Sequence, residues 1–182
     1  PTKGKNGGYV NPADLRYKIV RYPDEVIVAE SHAGTTFSEE ITPESLTAYY
    51  YKVSAINEGY KGEEIVSNKV LVGDPLEVPY TEEFEGLPAF DLYTVIDANK
   101  DGRTWVMNKV DNMVFNQFNP IRDADDWLIS PPIHLSNDRQ YSFSFVVKST
   151  NKLNSERISA SLGSGNVIND SYKVIVPDTT FH

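Results

Sequence analysis

Ala48-Tyr49-Tyr50-Tyr51-Lys52-Val53-Ser54-Ala55-Ile56 is the stretch that decides the fold class. Tyr49, Tyr51, Val53 and Ala55 fall on one face, and Tyr50, Lys52 and Ser54 on the other. That period-two alternation is the signature of a half-buried β-strand. Asn57-Glu58-Gly59 follows with turn chemistry. Upstream, Leu15 to Tyr22 alternates in the same way, with Leu15, Tyr17 and Ile19 opposite Arg16 and Lys18. Glu25 to Ala29 is a β-branched run, and Ser67 to Val72 reads as one more strand. Strands recurring every 8–12 residues or so, with polar turns between them, predict a sandwich or barrel.

Gly73-Asp74-Pro75-Leu76 interrupts the pattern, because Gly ends the alternation and Pro cannot donate into a central ladder. Strand-like segments resume at Tyr93–Ile96, Asp126–Ser130, Arg157–Leu162 and Tyr172–Val176. Gln140 to Lys148 also alternates, with Tyr141, Phe143, Phe145 and Val147 on one face. Asp91-Leu92-Tyr93 suggests a brief helical turn, and no long stretch holds a 3.6-residue period. The expected architecture is all-β, in two domains over residues 1–74 and 77–182.

Composition removes several function classes. The chain has 182 residues, no Cys, and 17 Lys+Arg against 26 Asp+Glu, a net charge of −9. Without Cys there is no disulfide framework, thiolate metal site or thiol nucleophile. The acidic balance argues against nucleic acid as a partner, because phosphate neutralisation needs clustered Lys and Arg. No apolar run approaches the roughly 18 residues of a membrane span. Residues 1–76 carry 8 basic and 11 acidic side chains, a net of −3, and residues 77–182 carry 9 and 15, a net of −6. The acidity is therefore concentrated in the second half, either as a solvated surface or around a cation.

Asp97-Ala98-Asn99-Lys100-Asp101-Gly102 fits D-x-N-x-D-G. Alternate oxygen-bearing side chains, closed by a Gly that permits a sharp bend, can wrap a hard cation such as Ca²⁺. An EF-hand would place Glu at the twelfth position, where Asn108 stands, and would need helical flanks instead of the β-rich ones present. Any calcium loop here is of another kind, completed by remote carboxylates. Candidates are Glu83 and Glu85, and Asp123, Asp125 and Asp126. The same spacing also suits nested Asx turns with Gly102 finishing the bend, and the residues alone leave both readings open.

Signatures of catalysis are weak. His32, His134 and His182 form no metal-binding pair, and Gly163-Ser164-Gly165 reads as a hairpin turn, not a nucleophile elbow. Phe115-Asn116-Gln117-Phe118-Asn119-Pro120 reads as a loop with aromatics available to a ligand or partner. Trp127, alternating with Ile129, is expected to face inward.

Leu46 followed by Tyr49-Tyr50-Tyr51-Lys52-Val53-Ser54-Ala55-Ile56-Asn57-Glu58-Gly59, with Ser67-Asn68-Lys69-Val70 beyond, resembles the late strands of a fibronectin type III domain. The resemblance covers roughly residues 8–73 and implies an immunoglobulin-like sandwich. It also implies that Tyr49 is the tyrosine-corner residue, its hydroxyl bonded to a nearby backbone group. The opening strands of that family, with their early Trp, are not evident, so they are expected to be missing.

Residues 77–182 resemble the cleaved-adhesin or choice-of-anchor J type of jelly roll. That family occurs in secreted and surface proteins of Bacteroides-type bacteria, including the adhesin regions of gingipain proteases. The resemblance rests on Tyr80-Thr81-Glu82-Glu83-Phe84-Glu85-Gly86, on Thr94 to Trp105, on Asp125 to Ile133 and on Tyr141 to Val147. It implies a structural Ca²⁺ held by Glu85, Asp97, Asn99, Asp101 and Asp125, and a sheet expected to stop short of its last strand. Together the two resemblances imply a non-catalytic, extracellular adhesion or protein-binding module within a larger multidomain polypeptide. Its partner would be a host or bacterial surface protein or a glycan. The alternative is a carbohydrate-binding module attached to a polysaccharide-degrading enzyme, with Trp105 and Phe118 exposed on one face. A hydrolase would instead need two converging carboxylates in a cleft.

Overall fold

The computed structural model describes residues 3–4, 6–149 and 155–181. The chain divides into two compact units, Pro1–Asp74 and Pro75–His182. The described residues are almost entirely strand and connection, and every named strand pairing is antiparallel.

The first unit contains β1 (Arg16–Tyr22), β2 (Val26–His32), β3 (Thr47–Asn57), β4 (Tyr60–Val66) and β5 (Val70–Val72). The sheet order is β2-β1-β3-β4, with β5 pairing the start of β3. The deciding stretch is thus the long strand β3, which has partners along both edges. Glu58 and Gly59 join β3 to β4 with φ of 49° and 84°, the two positive values that a tight hairpin turn requires. Register places Tyr17 opposite Ala55, Ile19 opposite Val53 and Arg21 opposite Tyr51, while Ile65 faces Val53 from β4. Because side chains alternate along a strand, these residues share one face. Lys18, Lys52, Ser54 and Glu64 line the other.

Leu15, Ile19, Leu46, Ala48 and Tyr49 form the buried core. The strand-free connection 33–46 supplies much of the cover for the Tyr51 face. Phe37 packs edge-on against His32 and Tyr51, with centroids 5.6 and 6.3 Å away. Glu39 accepts from Arg21 Nη1 at 2.8 Å and from the Tyr51 hydroxyl at 2.6 Å. Arg21 also grips Asp24 with Nε and Nη2, and its guanidinium lies 5.5 Å from the Tyr49 ring centroid. One cation therefore ties the β1–β2 turn, the connection and β3 together. Among the described residues the Tyr49 hydroxyl makes no backbone hydrogen bond, unlike the corner the family resemblance implies; the ring is held by burial and Arg21 instead.

Burial, and then the Glu39 hydrogen bond, push the Tyr51 hydroxyl up to about 12. A folded-state value above the unfolded one contributes stability present below the ordinary tyrosine range and lost as pH rises through the raised value. The Arg21 hydrogen bond holds Asp24 below its ordinary range, so that contribution is present near neutrality and lost in acid. Glu39→Ala leaves two half-buried donors without an acceptor and is expected to cost about 1–3 kcal/mol. Truncating Lys18, which meets Glu30 at the surface, should cost less than about 1 kcal/mol. Urea denaturation measures both; equal losses would show that the Arg21 network is no more than a surface contact.

Gly73 closes this unit with φ of 121°, and a Cβ there would lie 3.0 Å from Leu46 Cα. Both the dihedral and the backbone neighbour exclude a side chain. Gly73→Ala should therefore destabilise by about 1–3 kcal/mol, read as a lowered thermal midpoint; an unchanged midpoint would mean this corner relaxes freely.

The second unit contains α1 (Leu87–Asp91), β6 (Thr94–Asp97), β7 (Trp105–Asn108), β8 (Met113–Asn116), β9 (Asp126–Ile129), β10 (Glu156–Leu162) and β11 (Lys173–Phe181). They form three two-stranded ladders, β6-β9, β7-β8 and β10-β11. Ile129 and Pro131 are buried, and the Trp127 ring meets Tyr172 edge-on at 5.6 Å. Two expectations change here. Residues 140–149 form no strand, and Phe143 and Val146 stand exposed. Their alternation is real, but a strand also needs a partner edge for its main-chain groups. Phe115 and Asn116, expected in a loop, belong to β8, where Phe115 opposes Val106.

Candidate metal centre

The Asp97–Gly102 loop leaves the end of β6, where Asp97 stands opposite Asp126 of β9. Two positive φ values shape it, 55° at Lys100 and 78° at Gly102. Asp97 accepts from the Asp101 backbone N–H at 3.1 Å and from the Gly102 N–H at 2.8 Å. Asn99 Oδ1 accepts from the same Asp101 N–H at 3.1 Å, and Asp101 Oδ1 from the Arg103 N–H at 2.7 Å. Three alternate side chains are thus drawn onto one turn by its own amides.

Remote segments reach this loop mainly through amides and carbonyls. Asn119 donates to Asp101 Oδ2 at 2.6 Å, and Asn99 donates to the Asp123 carbonyl at 2.8 Å. Ala98 N–H donates to the Asp125 carbonyl at 3.1 Å. Beside the loop, Trp105 Nε1 donates to the Asp126 carbonyl at 3.2 Å, and Asn116 donates to Asp126 Oδ2 at 2.9 Å. Among the described residues, Asp126 Oδ1 and Thr104 Oγ1 are buried and find no hydrogen-bond partner.

Of the five expected ligands, Asp97, Asn99 and Asp101 are therefore brought together. Asp125 touches the loop through its main chain, while its side chain is exposed. Glu85 is exposed in the separate segment 82–86, whose turn is held by Glu82 accepting from the Phe84 N–H and the Tyr80 hydroxyl. Among the described residues, no three His, Asp or Glu side chains converge as a metal-holding group. Asn116 and Asn119 are the neighbours that the sequence did not single out; only their closeness to the acidic segment 123–126 hinted at them.

Trp105 is half-buried with its indole N–H engaged, whereas Phe118 is 71% exposed. Trp127 is half-buried. His32 meets the Thr36 carbonyl and His134 the Glu77 carboxylate; His182 lies outside the described residues.

The Arg103 backbone hydrogen bond, followed by those from Asn119 and Asn99, holds Asp101 below the ordinary carboxylate range. Its contribution to the loop is present above that range and lost as pH falls through the lowered value. An NMR titration should show the Arg103 amide shifting below the range of a free Asp side chain. A midpoint at the free value would contradict this geometry.

No family model, curated protein or solved structure matches the chain.

Proposed function

We propose that this chain is a non-catalytic extracellular adhesion or protein-binding module of a bacterial surface or secreted protein. It comprises a fibronectin type III-like sandwich domain followed by a jelly-roll adhesin-like domain, and a Ca²⁺ ion at the Asp97–Asp101 loop rigidifies the second. Its partner is a surface protein or glycan. The observation that carries the reading is the gathering of Asp97, Asn99 and Asp101 oxygens onto one turn.

The donor set fits a hard cation, since it is wholly oxygen and Ca²⁺ takes about 6–8 such ligands. The buried, unpartnered Asp126 Oδ1 beside the loop supports a site with oxygen capacity to spare. Asp97, Asn99 and Asp101 would hold the ion from the loop, with Asp125 and Glu85 joining from their own segments. Bound, the ion would neutralise the local acidity and cross-link connections that hydrogen bonds already join. In the first unit, the antiparallel sheet built around β3 is what supports the fibronectin-like assignment.

Isothermal titration of the chelator-treated chain tests the calcium reading. Calcium binding should be measurable, and Asp97→Asn with Asp101→Asn should weaken it at least about tenfold. At about a hundredfold excess over the dissociation constant, calcium should stabilise by about 2.7 kcal/mol, a rise of several degrees in thermal midpoint. No heat of binding and no change in midpoint would remove the metal from the reading.

A further inference from the structure

Asn6-Gly7 is the one Asn-Gly dipeptide in the chain, and Asp101-Gly102 the one Asp-Gly. In both, a side-chain carbonyl carbon is followed by a glycine nitrogen, the arrangement that can close a succinimide ring. Glycine favours the closure, because without a Cβ its nitrogen can approach freely. The fold treats the two sites differently. Asn6 lies in a turn near the start of the first unit, where Gly7 N–H donates to the Gly4 carbonyl at 2.9 Å and Gly4 N–H to the Gly8 carbonyl at 2.8 Å. Lys3, Gly4 and residues 6–9 are all exposed, and a Cβ at Gly7 or Gly8 would meet nothing within 4 Å. No packed neighbour pins this turn, and one hydrogen bond has to open before the Gly7 nitrogen is free. At the other dipeptide, the Asp101 carboxylate accepts from the Arg103 N–H at 2.7 Å and from Asn119 at 2.6 Å, and Gly102 N–H donates to Asp97 at 2.8 Å. Ring closure there has to break all three contacts, and an ionised carboxylate is a poor target for a nucleophile.

We propose that Asn6 is a site of spontaneous deamidation in the folded chain, and that the Asp97–Gly102 loop protects Asp101 from the matching isomerisation. The Gly7 backbone nitrogen loses its proton to hydroxide and attacks Asn6 Cγ. A bond forms between nitrogen and Cγ, the carboxamide C–N bond breaks, and the amide nitrogen takes up a proton and leaves as ammonia. Water then adds to either carbonyl of the succinimide. One opening gives aspartate at this position, and the other gives isoaspartate, with the main chain rerouted through the side chain. The net exchange is a carboxamide and water for a carboxylic acid and ammonia, with no change of oxidation state. Either product adds a negative charge to a chain that already carries −9. The isoaspartate also lengthens the main chain by one carbon, which disturbs the spacing that lets Lys3 bridge Tyr9.

Peptide mapping by mass spectrometry tests this on the full chain, treated with chelator so that no cation shields Asp101, and held in mildly alkaline and mildly acidic buffer. Trypsin releases residues 6–16 as one fragment. Its other Asn, Asn11, precedes Pro12, whose nitrogen has no proton to lose. Deamidation should appear first in this fragment, faster in alkali, with isoaspartate that accepts a methyl group from an isoaspartyl methyltransferase. Gly7→Ala should slow it about tenfold or more. Unfolding in urea should speed the Asn6 reaction by less than about tenfold, because an exposed turn already opens at little cost. Isoaspartate at Asp101 should form in urea and stay below the level at Asn6 in the folded chain. An unchanged 6–16 fragment, earlier conversion elsewhere, a rate indifferent to Gly7→Ala or a greater acceleration at Asn6 on unfolding would each overturn the proposal. So would isoaspartate at Asp101 in the folded chain as fast as at Asn6.

Discussion

The first unit depends on β3 having its main-chain groups satisfied along both edges. A central strand leaves no orphan N–H or C=O, whereas an edge strand presents a whole row of them. With β1 on one side and β4 and β5 on the other, β3 fixes the register of those three strands, and β2 takes its register from β1. Its own side chains then need cover, and the 33–46 connection provides it because Glu39 meets Arg21 and Tyr51 there. The second unit has no such strand among its described ladders. Two-stranded ribbons are marginal alone, so its stability has to come from side chains between them, such as the Trp127–Tyr172 contact, and from the backbone bridge between Leu76 and Ile133.

That contrast explains what could be read in advance. Alternation reports which side chains share a face, and it located β1, β3, β9 and β10 to within a residue or so. It says nothing about whether a partner edge lies alongside. Tyr141 to Val147 alternates as cleanly as Tyr49 to Ala55, yet only the latter is flanked by strands. The Arg21–Glu39–Tyr51 network was equally illegible, because Arg21 and Glu39 stand 18 residues apart and no period connects them. Long-range polar contacts are set by how a connection folds back, and single residues carry no mark of that.

The same division runs through the candidate site. Asp97, Asn99 and Asp101 were legible because residues two apart in a tight turn must lie close, whatever surrounds them. Asn119, 18 residues from Asp101, was not. Glu85 came only from resemblance, and nothing local places it beside the loop.

The loop's hydrogen bonds bear on what a cation could contribute. A carboxylate has about four lone-pair sites. Asp97 gives two of them to the Asp101 and Gly102 amides, so the turn is shaped without any metal and retains capacity on the same oxygens. Asp101 is more heavily committed, accepting from Arg103, Asn119 and Asn99. A cation at Asp101 would compete with the Asn119 amide, whose N–H offers far less charge than a divalent ion. The preformed turn then lowers the ordering cost of binding, while displacement of Asn119 raises it. The energetic effect of calcium would fall on the contact between the loop and residues 116–126, where hydrogen bonds join the segments, and much less on the turn itself.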